Sequence, residues 1–508
     1  MSEIRVVFGK RRDPGIILGR TIPQAFFLVV ALAFGVFFFR SVSAGDGPRW
    51  ALLVAGLLIA PVGFIRINGR GIADVGPALV ADWALRVVGH REYRGGPHRR
   101  TVLDSATTPR TQPRLPGSLS ALEILGFEVG ENRGEIGVIF DRADGTVTVV
   151  LQVVGETFPL LDTAQANAHV LGFQRLQDGL AQRATPVVGI QCMERVIPDL
   201  GEEVQREWHR RGRMGSAFSR AANERVLASE AGRGIVHESL IGIRIDPAKA
   251  RAQVREYGGG DEGRAALAFR YGSRLERDLT GAGIEVIGWL PPRGIAARIR
   301  SAFDPSSDAM VSRRGGGAGD TIGGDTGLPS GVSPAAAEPM NQRPARSYLA
   351  HNDQVSRTWW VEEFPRSRHG VPAGFLQPLL LEVPHRHTVS ILLQPLNYRA
   401  AQRRITEAAS TQEAQRDLDR KMKRRRSRQA EREETDLDRN EMDLVEGYAN
   451  YRPAVVVTAT AGTVRELETI SADIEAALNG CSMEGQVWHV ETDQAFYMGA
   501  LPLARGLA

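Results

Sequence analysis

The sequence predicts an α+β protein, in which a two-helix transmembrane hairpin precedes a cytoplasmic α+β region of two sheet-plus-helix units. Two uncharged apolar runs near the N-terminus, Ile22–Phe39 and Trp50–Ile65, predict the hairpin. Downstream, short apolar or alternating runs that are typical of strands alternate with longer segments at helical spacing. A segment rich in glycine and proline, residues 305–346, divides this region into the two units.

The two apolar runs have the character of membrane-spanning helices. Each approaches the length that crosses a hydrocarbon core of roughly 30 Å. Neither has the polar stripe of a soluble core helix, and a second apolar run follows where a signal peptide would lead into a soluble chain. Arginines flank the pair, whereas the loop Ser41–Arg49 ends in a single arginine. The positive-inside rule then predicts a multi-pass inner-membrane protein with both termini in the cytoplasm.

Residues 1–94 form the predicted membrane unit, which has a basic lead-in, the hairpin and an amphipathic helix over Gly71–Tyr93. That helix either lies in the membrane interface or packs on its own soluble domain. The side chains expected at the interface are Trp50, Arg66, Arg70, Trp83 and Arg86. Residues 95–120, which are rich in proline, glycine, threonine and arginine, are predicted to be a linker.

The first α+β unit is predicted over residues 121–304. An Asp-Gly turn in Asp141–Gly145 separates two strand-like runs and indicates a β-hairpin, Glu135–Phe140 with Thr146–Val154. The pattern that follows predicts helices over Thr163–Gln182, Gly201–Ala231, Gly263–Leu279 and Arg293–Phe303, and strands over Thr185–Val196, Ile235–Ile245 and Gly283–Leu290.

The second α+β unit is predicted over residues 347–508. Its strands are expected at Arg357–Glu363, Thr388–Leu396, Ala454–Thr460 and Gly485–Val490. A long charged helical region covers Asn397–Tyr448, and a shorter helix covers Val464–Leu478. The apolar end, Gln494–Ala508, is expected to dock on the rest of the protein.

Composition and motifs argue against catalysis. Two distant cysteines, Cys192 and Cys481, exclude a disulfide scaffold and a cysteine-rich zinc site. The sequence contains neither Gly-x-x-x-x-Gly-Lys-Ser/Thr nor Gly-x-Ser-x-Gly, and the glycines of Gly315–Gly319 suit a linker better than a phosphate loop. We therefore expect no enzyme, no catalytic residue and no cofactor. His385 and His387 could bind a metal with Glu382, but a structural role for the histidines is favoured and no metal site is predicted.

Two features point to partners. Adjacent rings at Trp359 and Trp360 would face opposite sides of a strand, one toward the core and one toward an interface. The apolar end of the chain supplies further partner-interface candidates, namely Phe496, Tyr497, Leu501 and Leu503. The basic run Arg420–Arg428 is most simply a solvated helix face, and membrane surface and nucleic acid remain alternatives. Direct nucleic-acid binding is not the expected role, and a homo-oligomer is possible.

Several segments carry a resemblance to known families. The hairpin, the step Ile65-Arg66-Ile67-Asn68-Gly69-Arg70 and the tryptophan-containing helix resemble the PrgI-like inner-membrane subunit of type IV secretion and conjugation machines. The segment Val455–Ala477, the charged helix before it and the terminal QAFYMGALPLARGL resemble the N-terminal, non-motor domain of the conjugation ATPase. Only four of the 63 basic residues are lysines, a composition similar to that of an actinobacterial protein.

The resemblance implies a membrane-anchored docking component without a motor of its own. Such a protein would bind the lipid bilayer, other secretion-system membrane subunits and a separately encoded motor ATPase. An alternative is the E component of a type VII (ESX) secretion core, which also has two N-terminal membrane helices and a cytoplasmic α+β domain. A membrane-bound enzyme with a scattered site is the third hypothesis.

Overall fold

The structure is a computed structural model, and it describes residues 30–38, 53–54, 57, 66–67, 70–71, 92–95, 112–129, 134–154, 163–180, 185–199, 208, 216–230, 234–314, 330–365, 374–396, 398–421, 442 and 451–506. The strands, in chain order, are β1 (Arg66–Ile67), β2 (Arg70–Gly71), β3 (Tyr93–Arg94), β4 (Leu122–Glu128), β5 (Glu135–Asp141), β6 (Thr146–Val154), β7 (Val187–Asp199), β8 (Gly234–Ile245), β9 (Glu285–Trp289), β10 (Asn341–Pro344), β11 (Leu349–His351), β12 (Gln354–Glu363), β13 (His387–Pro395), β14 (Tyr451–Ala461) and β15 (Glu484–Val487).

The principal helices are α1 (Thr163–Leu180), α2 (Ala217–Glu230), α3 (Arg251–Glu256), α4 (Gly260–Gly281), α5 (Pro292–Phe303), α6 (Asp308–Arg314), α7 (Gln377–Leu381), α8 (Tyr398–Lys421), α9 (Val464–Gly480) and α10 (Thr492–Ala500). Local signals place several of their ends. Pro292 stands in the first turn of α5, where its missing N–H is not needed. The hydroxyl of Thr463 caps α9 by accepting a hydrogen bond from the Glu466 N–H.

One antiparallel sheet of 13 strands organises the protein. Its order is β3-β10-β11-β12-β14-β13-β7-β8-β6-β5-β4, with β15 added on β12 and β9 added on β6. Strands β7 and β13 pair from His387↔Val196 to Leu393↔Ile190, in the middle of this order. The prediction of two separate sheet-plus-helix units is therefore wrong. The prediction failed because the β7–β13 pairing joins residues far apart in the chain, and no local sequence pattern encodes it.

The chain nevertheless contains a structural repeat. Repeat one runs β4-β5-β6-α1-β7-α2-β8-α4-β9-α5, and repeat two runs β10-β11-β12-α7-β13-α8-β14-α9-β15-α10. Each repeat has six strands. In both repeats the third strand pairs with the fifth and with the sixth, and the fifth strand also pairs with the fourth. This order, β9-β6-β8-β7 and β15-β12-β14-β13, is that of the split β-α-β (ferredoxin-like) unit.

The register places a pseudo-twofold axis at the centre of the sheet. The corresponding strands β7 and β13 of the two repeats lie side by side and run antiparallel, which is the arrangement that a twofold rotation between the repeats produces. The axis lies within this pairing, and Met193↔Ser390 is the pair at its middle.

Helices cover both faces of the sheet. On one face, α1 and α4 pack on repeat one and α9 packs on repeat two, around residues such as Leu176, Leu267 and Ile470. On the other face, α5 and α10 pack into a core shared by both repeats, which includes Ile295, Phe303 and Phe496. Alternation along each strand explains this division, because successive side chains point to opposite faces.

The predicted membrane hairpin is not upheld. Throughout the described part of the chain, every helix falls short of the length and apolarity that crossing a bilayer requires. Residues 30–38 form helix over roughly 14 Å, about half of a hydrocarbon core. Arg66–Ile67 pairs with Arg70–Gly71 as a small antiparallel hairpin, so the second apolar run does not continue as helix through Arg66. The predictions of a multi-pass membrane protein and of its localisation, with both termini in the cytoplasm, are therefore wrong.

Most other elements agree with their sequence patterns to within a few residues. The hairpin around Asp141–Gly145 is confirmed as β5 and β6, and most of the predicted helices and strands are found near their predicted bounds. Of the predicted helices Gly201–Ala231 and Asn397–Tyr448, the parts found as helices are Ala217–Glu230 and Tyr398–Lys421, and most of the remainder lies outside the described residues. The predicted linkers differ more. Leu115 and Leu119, within predicted linker 95–120, are buried core residues, and strand β10 lies within predicted linker 305–346.

Candidate functional site

A cluster of polar side chains, some buried and the others largely buried, lies beside the pseudo-twofold axis, on the face covered by α5 and α10. We call it the junction cluster; it comprises Arg195, Glu238, Arg298, Ser301, Asp308 and Arg386. Its residues come from β7, β8, α5, α6 and the loop before β13, so both repeats contribute. A charged group at this depth is costly unless it is paired, and the contacts of the cluster provide that pairing.

Glu238 stands between two arginines. Its Oε1 accepts hydrogen bonds from Arg298 Nε at 2.8 Å and Nη2 at 2.6 Å, and its Oε2 accepts one from Arg195 Nη1. Burial disfavours the ionised carboxylate, but the charges of Arg298 and Arg195 outweigh that penalty and lower the pKa of Glu238 to about 2. The carboxylate is thus ionised at neutral pH and fully engaged.

Ser301 links the two halves of the cluster. Its hydroxyl accepts from Arg195 Nη2 at 2.7 Å and from Arg386 Nη2 at 2.8 Å, and it donates to Asp308 Oδ1 at 2.6 Å. Arg386 also pairs with Asp308 Oδ2 through Nη1 and donates to the Ser301 carbonyl at 2.8 Å. The Ser301 hydroxyl donates to a carboxylate and accepts from two arginines, so its charged neighbours fix its position rather than activate it as a nucleophile. The arrangement therefore stabilises the packing of the elements that carry these residues.

A second chain of hydrogen bonds resembles a nucleophile and base. His351 Nε2 lies 2.7 Å from Ser356 Oγ, which lies 2.7 Å from Thr460 Oγ1, and His351 Nδ1 donates to the Phe303 carbonyl at 2.7 Å. Burial lowers the pKa of His351 to about 4, so the imidazole is neutral. His351 is 0% exposed and Ser356 is 2% exposed. A substrate therefore has no access to this pair, which acts as a structural bridge between α5, β12 and β14.

The last residues of the chain cross the joint between the repeats. Gln191 Nε2 donates to the Leu501 carbonyl at 3.1 Å and to Ser390 Oγ at 3.0 Å, and Gln191 Oε1 accepts from the Ala504 N–H at 2.7 Å. Arg505 pairs with Asp141 through Nη2 at 2.5 Å. We call residues 501–506 the C-terminal strap. Its docking agrees with the expectation for the apolar end of the chain.

The partner-interface residues predicted from sequence lie in the core instead. Exposure of these six side chains is 0–8%, so their surfaces are used within the molecule; they are Trp359, Trp360, Phe496, Tyr497, Leu501 and Leu503. The two tryptophans do face opposite sides of β12, as predicted, but a layer of helices covers both sides. Because helices cover both faces of the sheet, neither tryptophan ring has a free side on which a partner could bind.

The membrane-interface candidates are placed differently. Arg66 and Arg70 lie in the β1–β2 hairpin, whereas Trp50, Trp83 and Arg86 lie outside the described residues. For the basic run Arg420–Arg428, the structure describes its first two residues, at the end of α8.

The histidine pair does not assemble a metal site. His385 Nε2 contacts Asp473 Oδ2 at 3.0 Å, while both ring nitrogens of buried His387 face backbone carbonyls, those of His385 and Leu379. Within the described ranges, no group of three or more histidine, cysteine, aspartate or glutamate side chains is placed to hold a metal ion. Burial raises the pKa of the Cys192 and Cys481 thiols, which disfavours the reactive thiolate.

Sequence reasoning missed the junction cluster. Its members are spread from residue 195 to residue 386, and Arg386 of repeat two has its carboxylate partner, Asp308, in the helix that follows repeat one. One signal was present, because Arg195 interrupts the apolar run of β7 and Glu238 lies in the next strand. Charged residues within strands that are otherwise buried indicate an internal ion pair.

Comparison with models of known protein families and with curated proteins returns no match for this chain. The fold and the site together define a duplicated split β-α-β protein with a buried ionic junction.

Proposed function

We propose that this protein is a non-catalytic docking component of a secretion or conjugation machine, and that it recruits a separate motor ATPase. The observation that carries the proposal is the pair of helical excursions, α2 and α8. They leave the sheet at equivalent hairpins, β7–β8 and β13–β14, of the two repeats. Because β7 and β13 are antiparallel, the two excursions leave from opposite ends of these strands. A rigid sheet with two such arms suits a docking role.

Both helices are separate from the rest of the described molecule. Neither α2 nor α8 has an extensive contact with another described element. Ala401 and Ile405 anchor the first turns of α8 against Leu396, and α8 then continues for a total length of roughly 36 Å. A helix that is stable outside a core needs either side-chain pairs of its own or a partner.

Helix α2 carries the apolar side chains that a partner would cover. Phe218 is 80% exposed and Val226 is 57% exposed. They are separated by eight residues, which places them on the same side of a helix. An exposed apolar stripe on an amphipathic helix is a common recognition element, which docks into a groove of its partner.

The internal chemistry is consistent with a scaffold. The buried ionisable groups of the junction cluster pair with one another, and the Ser356–His351 pair is closed to substrate. The identity of the partner rests on the resemblance to the non-motor domain of the conjugation ATPase, and membrane anchoring forms no part of the proposal.

The test uses the full chain with a separately expressed motor ATPase of the conjugation type. We expect a complex on size-exclusion chromatography and by calorimetry, and at least tenfold weaker binding after the double change Phe218→Ser and Val226→Ser. Val154→Ser with Ile287→Ser is the matched control, since these side chains are 46% and 48% exposed at another place. Equal loss in both variants would contradict docking on α2. ATP hydrolysis by the purified protein alone would contradict the scaffold role.

A further inference from the structure

A small polar cavity lies next to the junction cluster. It has a volume of about 10 Å³, which is room for one water molecule or one monatomic ion. Its polar lining comes from β7, β14 and the start of β13 and includes Arg195, Arg386, Thr388, Thr458 and Thr460. Apolar residues of α5 and α10 close another side, Ala302 and Ala500. The cavity therefore lies where both repeats and both covering helices meet.

The chemistry of this lining is one-sided. Arg195 and Arg386 carry permanent positive charges, and the hydroxyls of Thr388 and Thr458 can turn a hydrogen toward a ligand, whereas Thr460 donates to Ser356. No carboxylate belongs to the residues that line the cavity. Burial lowers the pKa of the one lining histidine, His387, which disfavours its charged form. A site that offers donors and positive charge without a carboxylate favours an anion over a cation.

Burial strengthens this preference. The side chains of Arg195 and Arg386 are 5% and 14% exposed. Two like charges beside one cavity repel each other more strongly in a poorly solvated interior than in water. Each arginine has a carboxylate partner on the side of the junction cluster, Glu238 and Asp308 respectively. An anion in the cavity would reduce the repulsion that remains between them.

We propose that this cavity binds a small monovalent anion of the halide class, such as chloride, and that the ion ties β7 of repeat one to β13 and β14 of repeat two. The volume excludes a tetrahedral sulfate or phosphate. The ion stabilises the joint between the repeats, so this role is independent of any docking partner.

Thermal unfolding of the full chain tests the proposal. Sodium chloride and sodium gluconate are compared at equal ionic strength, so that general screening is the same in both series. We expect a saturable rise of about 2 °C in the unfolding midpoint with chloride, because a ligand that binds the folded state raises its stability by mass action. Sodium bromide should reproduce the rise and sodium sulfate should not. Identical midpoints in chloride and gluconate would overturn the proposal.

A variant and its control separate specific binding from a general salt effect. Thr388→Val removes one hydroxyl of the lining and keeps the side-chain shape, so the chloride response should be lost. Thr148→Val is the matched control, since Thr148 is a buried sheet threonine outside the cavity that donates to the Leu503 carbonyl at 3.2 Å. It should keep the full response. A full response in the Thr388 variant would count against the site.

Crystals of the unaltered protein grown in sodium bromide give a direct measurement that does not depend on any variant. An anomalous peak in the cavity is expected. Density for water without such a peak would refute the assignment.

Discussion

Several buried polar residues of this protein are individually unusual for a sheet core, and their partners are distant in sequence. Arg195 and Glu238 would be strongly unfavourable in their strands without each other. His351 has no charged partner of its own, and it is accommodated in its neutral form with one donated and one accepted hydrogen bond. Its environment therefore makes the protein sensitive to acid.

The first prediction concerns His351. Its pKa is about 4 in the folded protein and 6.5 in the unfolded chain, so the unfolded chain takes up the proton first as pH falls. The contribution to stability is complete above pH 6.5 and is lost progressively between pH 6.5 and about 4. At pH 5 the loss is about 2 kcal/mol in the free energy of unfolding. Urea unfolding at pH 7 and pH 5 measures it.

The matched variant is His351→Gln, which keeps a donor and an acceptor but does not titrate. It should be less stable than the parent at pH 7, and the difference between the two proteins should shrink by about 2 kcal/mol at pH 5. An unchanged difference would show that His351 is not the group responsible.

At the scale of elements, the C-terminal strap depends on close approach between backbones. Gly189 of β7 lies under it, and a Cβ at that position would stand 2.6 Å from the Ala504 carbonyl oxygen. No flexible side chain can move aside there, because the near atom belongs to the backbone. Gln191 then fixes the strap with one donor and one acceptor.

The second prediction follows from that contact. Gly189→Ala should lower the free energy of unfolding by about 1–3 kcal/mol, because the strap must shift away from β7. Gly281→Ala is the control: it lies at the end of α4 with nothing within 4 Å of the added carbon, and it should be neutral or stabilising by up to about 1 kcal/mol. Chemical denaturation of the full chain compares the two. Equal effects would mean that the strap does not press on β7.

The elements themselves were largely predictable from the sequence. Strand β14 coincides with an apolar run, and α9 coincides with a segment of helical period that Thr463 caps. Both elements were therefore found near their expected bounds. Strands β10 and β11 were not predicted, since they have only four and three residues, and they are held by pairing with each other and with β12. The apolar runs near the N-terminus predicted a membrane hairpin from hydrophobicity alone, which does not establish the helix length that a membrane span needs.

At the scale of the whole molecule, the two repeats share one sheet and one core. Residues of repeat one, such as Ile124 and Phe303, pack in the same cluster as Phe496 and Leu501 of the C-terminal region. The β7–β13 pairing joins the repeats by backbone hydrogen bonds, and the junction cluster joins them by charge. Separate unfolding of either repeat would break all three connections at once.

The third prediction is therefore a single cooperative unit. Amide hydrogen exchange should give opening free energies for β8 of repeat one and β14 of repeat two that agree within about 1 kcal/mol. Amides of α2 should exchange at far lower free energy, because that helix lies outside the shared core. A markedly lower value for β14 than for β8 would show that the repeats unfold independently.

The sequence by itself determined the α+β character, the bounds of the longer strands and helices, and the docking of the chain end, because periodicity, turns and caps are local properties. Tertiary structure alone decided that the two predicted units form one antiparallel sheet, since the β7–β13 register joins residues about 200 positions apart. It also decided the pairing of Arg195 with Glu238 and of Arg386 with Asp308, whose charges are tolerable only when the folded chain brings the partners together. The same long-range packing placed the predicted partner-interface aromatics in the core, because helices cover both faces of the sheet.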